Sequence, residues 1–367
     1  MTERPTLAVG TMSGTSLDGV DAALVRFTGP THATLLAFVT RPYDEPERAR
    51  IRAVLDGAGA RDTALLHADL AVWAADAVQA VLDAGHTRAS DLSCIGFHGQ
   101  TIWHEPPAVT WQLGEPAILA EQFGVPVVSG FRARDVAAGG QGAPLVPVAD
   151  VLLFGGDAPR ILLNIGGMAN FTWVKHRASD EGAFAFDTGP GMAIIDAAAR
   201  LADPSLPYDV DGRLAAAGKV NEAVLAELLA DPFFRAPPPR STGRERFGDA
   251  YARALAARAP GADAVATAVE LTARSIAGAI AEWGRDAREI VVSGGGVHHP
   301  ALMASLERAL GPSRTLRRFD DLFFTGDAKE AVAFALLGYL TMHGQPGNLP
   351  GATGAAGGRV LGAVTPA

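Results

Sequence analysis

The chain has 367 residues, more than one compact hydrophobic core normally serves, so two domains of ordinary size are expected. Hydrophobic residues make up 48% of the sequence and charged residues 19%, a balance that excludes a chain disordered throughout. The formal net charge of −9 excludes a broad nucleic-acid-binding surface, which would need a basic footprint, but leaves room for a local basic pocket.

Cys94 is the single cysteine, which excludes an internal disulfide bond and favours a reducing, cytoplasmic location. Its apolar neighbours favour inert packing in a buried strand over a reactive thiol. The first residues lead into only a short apolar run, so neither a secretion signal nor a membrane-spanning segment is expected.

The first informative stretch is residues 10–21, in which glycines and hydroxyl-bearing residues separate two apolar, strand-like runs. The pattern predicts a strand, a tight turn and a returning strand. We expect Gly14 and Gly19 to permit positive φ and close backbone approach, so that N–H groups and hydroxyls could hold phosphate oxygens. Asp18 and Asp21 could hold a hydrated divalent cation. An ordinary Gly- and Ser-rich hairpin fits this stretch equally well.

Two long amphipathic helices are predicted from the spacing of apolar residues, one over 64–84 and one over 262–283. Gly85 is expected to end the first of them. A later helix is expected to carry Glu330 in its first turn. The Gly-rich tail over 344–367 is expected to be extended and docked, because it still contains apolar residues.

A polar stretch containing His98, His104 and Glu105 follows the strand around Cys94 and is interpreted as a loop. Two histidines and a glutamate suggest zinc, but their spacing matches no standard ligand pattern and Pro106 prevents a regular helix, so zinc is disfavoured. Contact with a substrate or bridging of domains is one interpretation. A pair of hydrogen-bonded loop histidines is the other.

A second polar loop is predicted over residues 129–144, where Arg132, Arg134 and Asp135 precede a run of glycines. The arginines could bind a carboxylate or phosphate while the glycines let backbone approach the ligand. The alternative is a solvated turn with an Arg–Asp pair. A basic, irregular stretch over 237–247 fits either an anion contact or a solvated surface turn.

A change of composition near residue 155 predicts a boundary between domains 1–155 and 156–367. Just after it, the chain repeats the plan of its opening: an apolar strand, a turn containing Gly166 and Gly167, and another apolar strand. This echo indicates two domains of similar topology that face one another across a nucleotide cleft.

Asp187 is predicted at the end of a strand, ahead of a Gly-Pro-Gly loop and a helix, where α/β folds place their chemistry. A lone aspartate in this position is often the N-cap of the next helix, but here the glycines separate strand from helix, which slightly favours catalysis. Gly294, Gly295 and Gly296 later join a strand to a helix and leave a flat backbone surface on which a purine could lie.

Seven motifs, in this order, resemble those of the anhydro-N-acetylmuramic acid kinases. They are Met-Ser-Gly-Thr-Ser-Leu-Asp-Gly-Val-Asp at 12–21, Gly-x-His-Gly-Gln-Thr at 96–101, Arg-Asp-x3-Gly-Gly-Gln-Gly-Ala-Pro-Leu-Val-Pro at 134–147, Asn-Ile-Gly-Gly at 164–167, Asp-Thr-Gly-Pro-Gly at 187–191, Ser-Thr-Gly-Arg-Glu at 241–245 and Gly-Gly-Gly at 294–296. The resemblance runs from about residue 9 to the C-terminus. It implies an α/β fold of two actin-like (ribonuclease H-like) domains, each a mixed β-sheet flanked by helices, with an ATP and sugar cleft between them.

The activity that this resemblance implies is ATP-dependent conversion of 1,6-anhydro-N-acetylmuramic acid to N-acetylmuramic acid 6-phosphate, with Mg²⁺, in peptidoglycan recycling. An ionised Asp187 could take the proton of a water that attacks the anomeric carbon, as in an inverting glycosidase. The departing sugar O6 could then attack the γ-phosphoryl group without having to lose a proton. The substrate's lactyl carboxylate would give an arginine something to bind.

The site residues that follow from the motifs and the resemblance are of three kinds. Asp187 is the catalytic residue, and His98, Arg132, Arg134 and Glu330 bind the sugar. The nucleotide is bound by Gly14, Thr15, Ser16, Leu17, Asp18, Gly19, Val20, Asp21, Gly166, Gly167, Gly294, Gly295 and Gly296. Two residues depart from the usual family pattern, Met192 in place of asparagine and Ala133 in place of arginine.

The expected partners are a small-molecule sugar and a nucleotide, with no nucleic acid and no membrane, and a homodimer is compatible with the resemblance. One alternative function is a plain hexose or amino-sugar kinase, in which Asp187 would deprotonate a hydroxyl group. The other is an ATP-driven binding protein of the chaperone or filament type. The absence of a separate peptide-binding domain or charged tail in the sequence disfavours it.

Overall fold

A computed structural model describes residues 5–367, so the first four residues of the predicted first domain lie outside the described part. The chain divides into two compact units: unit 1 is Met1–Phe154 with Asp327–Ala367, and unit 2 is Gly155–Gly326. The β-strands are β1 (Thr6–Ser13), β2 (Gly19–Phe27), β3 (Ala33–Pro42), β4 (Leu92–Glu105), β5 (Val109–Leu113), β6 (Val127–Ser129), β7 (Arg160–Ile165), β8 (Met168–Val174), β9 (Phe184–Pro190), β10 (Glu289–Ser293), β11 (Thr315–Arg318) and β12 (Ala363–Thr365). The α-helices are α1 (Glu45–Leu55), α2 (Ala60–Ala84), α3 (Pro116–Phe123), α4 (Phe131–Ala137), α5 (Pro147–Ala149), α6 (Met192–Ala202), α7 (Arg213–Ala217), α8 (Glu222–Leu229), α9 (Asp249–Ala256), α10 (Ala262–Trp283), α11 (Pro300–Leu310), α12 (Phe319–Leu322), α13 (Lys329–Met342) and α14 (Pro350–Thr353).

Each unit contains one mixed sheet, and the two sheets share a five-strand pattern. The order is β3-β2-β1-β4-β6 in unit 1 and β9-β8-β7-β10-β11 in unit 2. In both, the first three strands along the chain form an antiparallel meander, and the next two run parallel to the first of them. This is the ribonuclease H-like arrangement. The predicted α/β class, with two mixed sheets flanked by helices, is confirmed.

The last part of the chain packs with a different unit from the one that the sequence predicted. The predicted second domain ran over 156–367, but residues 327–367 belong to unit 1. Helix α13 is buried along most of its length and packs on β1, β2 and β4, while β12 pairs with β6 at the edge of the sheet. A helix that is apolar on all sides carries no sequence signal for which sheet it covers.

Helix α13 lies close to the first sheet because the sheet presents glycines at the points of contact. A Cβ atom on Gly10 would collide with the carbonyl oxygen of Ala331, and one on Gly96 with that of Phe334. Val9 and Ile95, which precede these glycines, point to the other side of the sheet and are fully buried in the hydrophobic cluster that contains α2. One face of the sheet is therefore flat enough for a helix backbone, and the opposite face is bulky.

The two predicted long helices are confirmed, and both belong to cores. Helix α2 ends at its C-cap, Gly85, as predicted. Helix α10 packs against α6, α9, α11 and β9 in unit 2. Both helices are long and apolar enough to cross a membrane, but 56% of the most apolar window of α2 and 78% of that of α10 is buried inside the protein. Burial of this extent is what a core helix of a folded domain shows.

Three local predictions are wrong. Strand β4 continues through Glu105, where a loop was predicted, because its polar second half pairs with β5 in a half-exposed hairpin. The stretch predicted as a loop over 129–144 begins with a helix, α4, which starts after Gly130 in a left-handed conformation. Asp187 lies inside β9 and not at its end, since the ladder with β8 continues to Pro190.

Replacing Gly96 by alanine should lower the free energy of unfolding by about 2–4 kcal/mol, because the added methyl group must displace the backbone of α13. Gly278→Ala is the matched control: it lies inside α10, and a Cβ there meets no atom within 4 Å, so stability should be unchanged or slightly higher. Urea unfolding followed by circular dichroism measures both variants. Equal midpoints for Gly96→Ala and the wild type would contradict the close helix–sheet contact.

Candidate functional site

The turn between β1 and β2 presents hydroxyl groups to solvent from a fixed frame. Thr15 and Ser16 are exposed, whereas Leu17 between them and β2 is buried. The turn is held from the neighbouring strand β4, where Gln100 Nε2 donates a hydrogen bond to Gly14 O at 3.2 Å. A rigid turn with outward hydroxyls is suited to hold phosphate oxygens.

The expectation that Gly14 and Gly19 supply positive φ is wrong. The left-handed residue of this turn is Leu17, with φ of 60°. Gly19 is needed for a different reason, because a Cβ there would collide with Arg41 O in the adjacent strand β3. This glycine therefore reflects sheet packing, and the sequence pattern alone did not distinguish that role from ligand binding.

Carboxylates gather at the end of the first hairpin. Thr40 Oγ1 donates a hydrogen bond to Asp21 Oδ1 at 2.5 Å. Burial raises the pKa of Asp21, the hydrogen bond from Thr40 lowers it, and the negative charges of Asp327 and Asp18 raise it. Among residues 5–367, no group of three or more His, Cys, Asp or Glu side chains is arranged to hold a metal ion by itself.

Buried His98 and half-buried Arg132 form a hydrogen-bonded pair in unit 1. His98 Nδ1 donates to Gly99 O at 2.7 Å, so its Nε2 carries no hydrogen and accepts from Arg132 Nε at 3.0 Å. Burial and the charge of Arg132 lower the pKa of His98 well below its usual value, which keeps the imidazole neutral. Burial also lowers the pKa of Arg132 to about 10. The histidine therefore orients the arginine as a neutral acceptor.

Glu330 opens α13 and interacts electrostatically with Arg132. Glu330 keeps contact with solvent, but partial desolvation by the surrounding protein raises the pKa of its carboxyl group. The positive charge of Arg132 lowers that pKa. The preceding Lys329 is buried, and its Nζ lies 2.7 Å from Asp150 Oδ1. This ion pair fixes the first turn of α13. The structure thus brings Arg132 and Glu330 into one region, while Arg134 is exposed farther along α4.

Asp135 is a buried positioning residue, a role that neither interpretation of the 129–144 stretch gave it. It is completely buried and accepts hydrogen bonds from Gly142 N at 2.8 Å, Asn348 Nδ2 at 2.7 Å and Thr353 Oγ1 at 2.8 Å. Gly142 O in turn accepts from Arg132 Nη1 at 2.9 Å. The buried carboxylate therefore holds the glycine loop on which Arg132 rests. Its two side-chain partners lie 213 and 218 residues away in the sequence, so no local pattern could indicate this role.

In unit 2, the second hairpin is tied to the start of α6. Gly191 N donates to Gly167 O at 2.9 Å, and Met192 N donates to Gly166 O at 2.8 Å. The carbonyl groups of the hairpin thus accept hydrogen bonds from the first backbone N–H groups of α6. These N–H groups would otherwise make the helix N-terminus a candidate anion site. Met192 meets the hairpin here through its backbone.

The triple-glycine turn after β10 lies against the second hairpin. A Cβ on Gly294 would crowd Ile165 O, and one on Gly296 would collide with the Ile165 side chain. Gly295 is exposed and has open space where a Cβ would be. The outer glycines are therefore explained by packing on β7, and the middle one is free to meet a ligand.

Asp187 is half-buried and tightly held. Its Oδ2 accepts a hydrogen bond from Thr242 N at 2.8 Å, and its backbone N–H donates to Arg240 O at 3.0 Å. Burial raises the pKa of Asp187 to about 6, while the Thr242 N–H and the charge of Arg240 lower it and the charge of Glu245 raises it. A carboxylate with this pKa is ionised at neutral pH and is a stronger base than an ordinary aspartate.

The chain was compared with known proteins. The sequence family described as anhydro-N-acetylmuramic acid kinase matches residues 6–367. A relative from Gloeobacter violaceus, named anhydro-N-acetylmuramic acid kinase, is 45% identical over 99% of this chain and 99% of its own length. A relative of the same name from Salinibacter ruber is 44% identical, covering 97% of this chain and 95% of its own. Among solved structures, a ROK hexokinase from Thermus thermophilus is similar, with 16% identity, a TM-score of 0.39, and coverage of 92% of this chain and 100% of that chain.

The fold together with the full-length match defines a kinase, a transferase that moves a phosphoryl group to an alcohol acceptor, as the sequence predicted. The chain belongs to the anhydro-N-acetylmuramic acid kinase family. The resemblance found in the sequence motifs is therefore confirmed.

The raised pKa of Asp187 predicts a pH-dependent cost in stability. Its folded-state pKa of about 6 lies above the ordinary 3.8, so this group favours folding below pH 3.8 and loses that contribution as pH rises through 6. Asp187→Asn, which stays neutral, should therefore raise the free energy of unfolding by about 1–2 kcal/mol at pH 7.5 and by almost nothing at pH 4. Urea unfolding at both pH values measures this. The same gain at both would show that the carboxyl is not perturbed.

Proposed function

We propose that this chain converts 1,6-anhydro-N-acetylmuramic acid, ATP and water to N-acetylmuramic acid 6-phosphate and ADP, a step in peptidoglycan recycling. Family membership over residues 6–367 supports the substrate and the use of ATP. The observation that carries the chemistry is Asp187, a single half-buried carboxylate held by a backbone N–H, with its pKa raised to about 6.

The reaction needs one base and no second proton acceptor. Asp187 takes a proton from water as the water oxygen bonds to the anomeric carbon, and the bond from that carbon to O6 breaks. The electron pair stays on O6, which attacks the γ-phosphorus while the bond from that phosphorus to the bridging oxygen breaks and ADP leaves. Asp187 then releases its proton to solvent. The pKa of about 6 lets the same group accept the proton and give it up near neutral pH.

We propose that the first hairpin binds the ATP phosphates through the backbone and hydroxyl groups of Thr15 and Ser16, together with Gly14 and residues 17–21. The exposure of these hydroxyls supports this assignment. Gly166 and Gly167 at the second hairpin, and the triple-glycine turn 294–296, are the corresponding nucleotide contacts of unit 2. The open space over Gly295 supports a contact with the base.

Mg²⁺ is proposed as the metal cofactor, and the donor chemistry near the first hairpin fits it. Asp18 and Asp21 supply carboxylate oxygens, and magnesium is usually held by one or two carboxylates together with substrate phosphates. Burial, followed by the negative charges of Asp327 and Asp18, raises the pKa of Asp21, and a bound cation would favour the ionised carboxylate instead. When bound, the ion neutralises charge on the phosphoryl oxygens.

The sugar is proposed to contact His98, Arg132, Arg134 and Glu330. Two nitrogen donors of Arg132 are already used by His98 and Gly142, so its role is to present charge from a fixed position. Arg134 is exposed, and its planar fork suits the lactyl carboxylate. The Glu330 carboxylate, whose protonation is favoured by its surroundings, suits a sugar hydroxyl.

A reducing cytoplasm is the proposed location. The only cysteine, Cys94, is buried, and burial raises the pKa of its thiol to about 11, which supports an inert packing role.

The substrate is tested by measuring ADP release with the anhydro sugar and with open N-acetylmuramic acid or N-acetylglucosamine. We expect turnover with the anhydro sugar, and incorporation of oxygen-18 from labelled water at the anomeric carbon. Turnover with only the open sugars would identify a plain amino-sugar kinase. ADP release independent of any sugar would favour an ATP-driven binding protein.

Asp187→Asn should reduce kcat for the anhydro sugar by at least about a thousandfold, because the amide cannot accept the proton of water. Nucleotide affinity, measured by calorimetry with a non-hydrolysable ATP analogue, should change less than about threefold. Asp286→Asn, an exposed aspartate of the same unit, is the control and should leave both values unchanged. Near-normal turnover by Asp187→Asn would refute the assignment of the base.

A further inference from the structure

We propose that Arg240 is a positioning residue for the base: it locks the segment 240–242 onto β9 and supplies the positive charge that keeps the Asp187 carboxylate ionised. The inference rests on the proposed role of Asp187. Arg240 lies just before the Ser-Thr-Gly-Arg-Glu motif, in the basic stretch for which the sequence left an anion contact and a solvated turn equally open. The structure supports neither of these interpretations for this arginine.

Arg240 and Asp187 are joined by hydrogen bonds in both directions. The Arg240 carbonyl accepts from Asp187 N at 3.0 Å, and Arg240 Nε donates to Asp187 O at 2.9 Å. Two residues on, Thr242 N donates to the carboxylate at 2.8 Å. Three hydrogen bonds thus join one short segment to one aspartate. The bond from Asp187 N to Arg240 O is between backbone groups, so a replacement of the Arg240 side chain loosens the segment without detaching the Thr242 donor.

The guanidinium group of Arg240 is confined between aromatic rings and backbone carbonyl groups. Its carbon lies 4.7 Å from the ring centroid of Phe186 and 5.1 Å from that of Phe233. Nη1 donates to Ala236 O, and also to Phe234 O at 3.4 Å. Stacking on aromatic faces with hydrogen bonds in a planar fork is a geometry that arginine can adopt and lysine cannot.

Within residues 5–367, the charge of Arg240 has no carboxylate partner in contact. Among the described residues, the Arg240 guanidinium donates only to backbone carbonyl groups, and its Nη2 is buried with no hydrogen-bond partner. An ion pair would cancel most of its field, whereas an unpaired cation in a partly desolvated site acts on neighbouring charges. The groups it faces within unit 2 are Asp187 and Glu282.

The sign of the effect follows from the charges around Asp187. Burial raises its pKa, Arg240 and the Thr242 N–H lower it, and Glu245 raises it. Removing Arg240 removes a lowering influence, so the carboxylate would titrate at higher pH. Less of it would be ionised at neutral pH, and the acidic limb of the activity profile would move upward.

The test is the pH dependence of kcat/KM with the anhydro sugar in the full-length protein. In Arg240→Met, the acidic limb should move up by about one pH unit. Arg240→Lys keeps the charge but loses the fork, so its limb should stay within a few tenths of a unit of the wild type while kcat falls roughly tenfold. A purely structural role would lower activity equally at all pH values and leave the limb in place, which would overturn the inference.

Two further variants make the outcome specific. Arg246→Met is the matched control, because the Arg246 guanidinium also lies 5.1 Å from the Phe233 ring but its hydrogen bond goes to Asp231, so its acidic limb should not move. Glu245→Gln removes an exposed charge that raises the pKa of Asp187, so its limb should move down. If Arg240→Met does not fold, the Arg240→Lys and Glu245→Gln profiles still decide. A limb unmoved by Glu245→Gln, or displaced by more than half a unit in Arg240→Lys, would contradict electrostatic control.

Failure of the inference is distinguishable from failure of the proposed function. If Asp187→Asn kept its activity, the base itself would be wrong. If Asp187→Asn were inactive but the Arg240→Met limb stayed in place, only the role of Arg240 would be wrong.

Discussion

The contact of helix α13 with the glycine face of the first sheet is the constraint on which the geometry of unit 1 depends. Gly10 in β1 and Gly96 in β4 leave no side chain between sheet and helix, so the helix backbone rests on the strands. The first turn of that helix is fixed in addition by the buried pair of Lys329 and Asp150. Glu330 is consequently placed where the charges of Arg132 and of Asp21 both act on it. A wider spacing between helix and sheet would separate these groups, so the small residues serve the site without touching any ligand.

The two units use one sheet plan for different chemistry. Unit 1 carries exposed hydroxyls at its first hairpin and a neutral histidine that orients an arginine. Unit 2 carries a hairpin whose carbonyl groups accept hydrogen bonds from the start of α6, and it places Asp187 inside β9, the third strand of its meander. The shared strand order says nothing about these differences, because function resides in side chains added to a fold. Family membership supplies the substrate class, and the local geometry supplies a physical reason for each proposed role.

Much of the fold was predictable from local pattern, and the site was predictable only where its motifs are local. The long helices and the repeated hairpin were identified because periodicity and glycine-rich turns are short-range signals, and the proposal of Asp187 as the base rests on a local motif of the same kind. The positive φ at Leu17 was missed because the choice of left-handed residue depends on the register of β1 with β2. The role of Asp135 and the placement of residues 327–367 depend on contacts with residues far along the chain, which no window of sequence contains.

The interrupted course of unit 1 has a consequence for biosynthesis. Asp135 receives its two side-chain hydrogen bonds, from Asn348 and Thr353, and Gly10 and Gly96 meet α13, only after nearly the whole chain has been made. At about 5–20 residues per second, roughly 10–40 s separate translation of Asp135 from that of its partners. During this interval the nascent chain holds a sheet whose helix-facing side is uncovered and an aspartate that still lacks its two side-chain donors. Unit 2, encoded without interruption, can complete its folding first, so the segment made earliest is the one finished last.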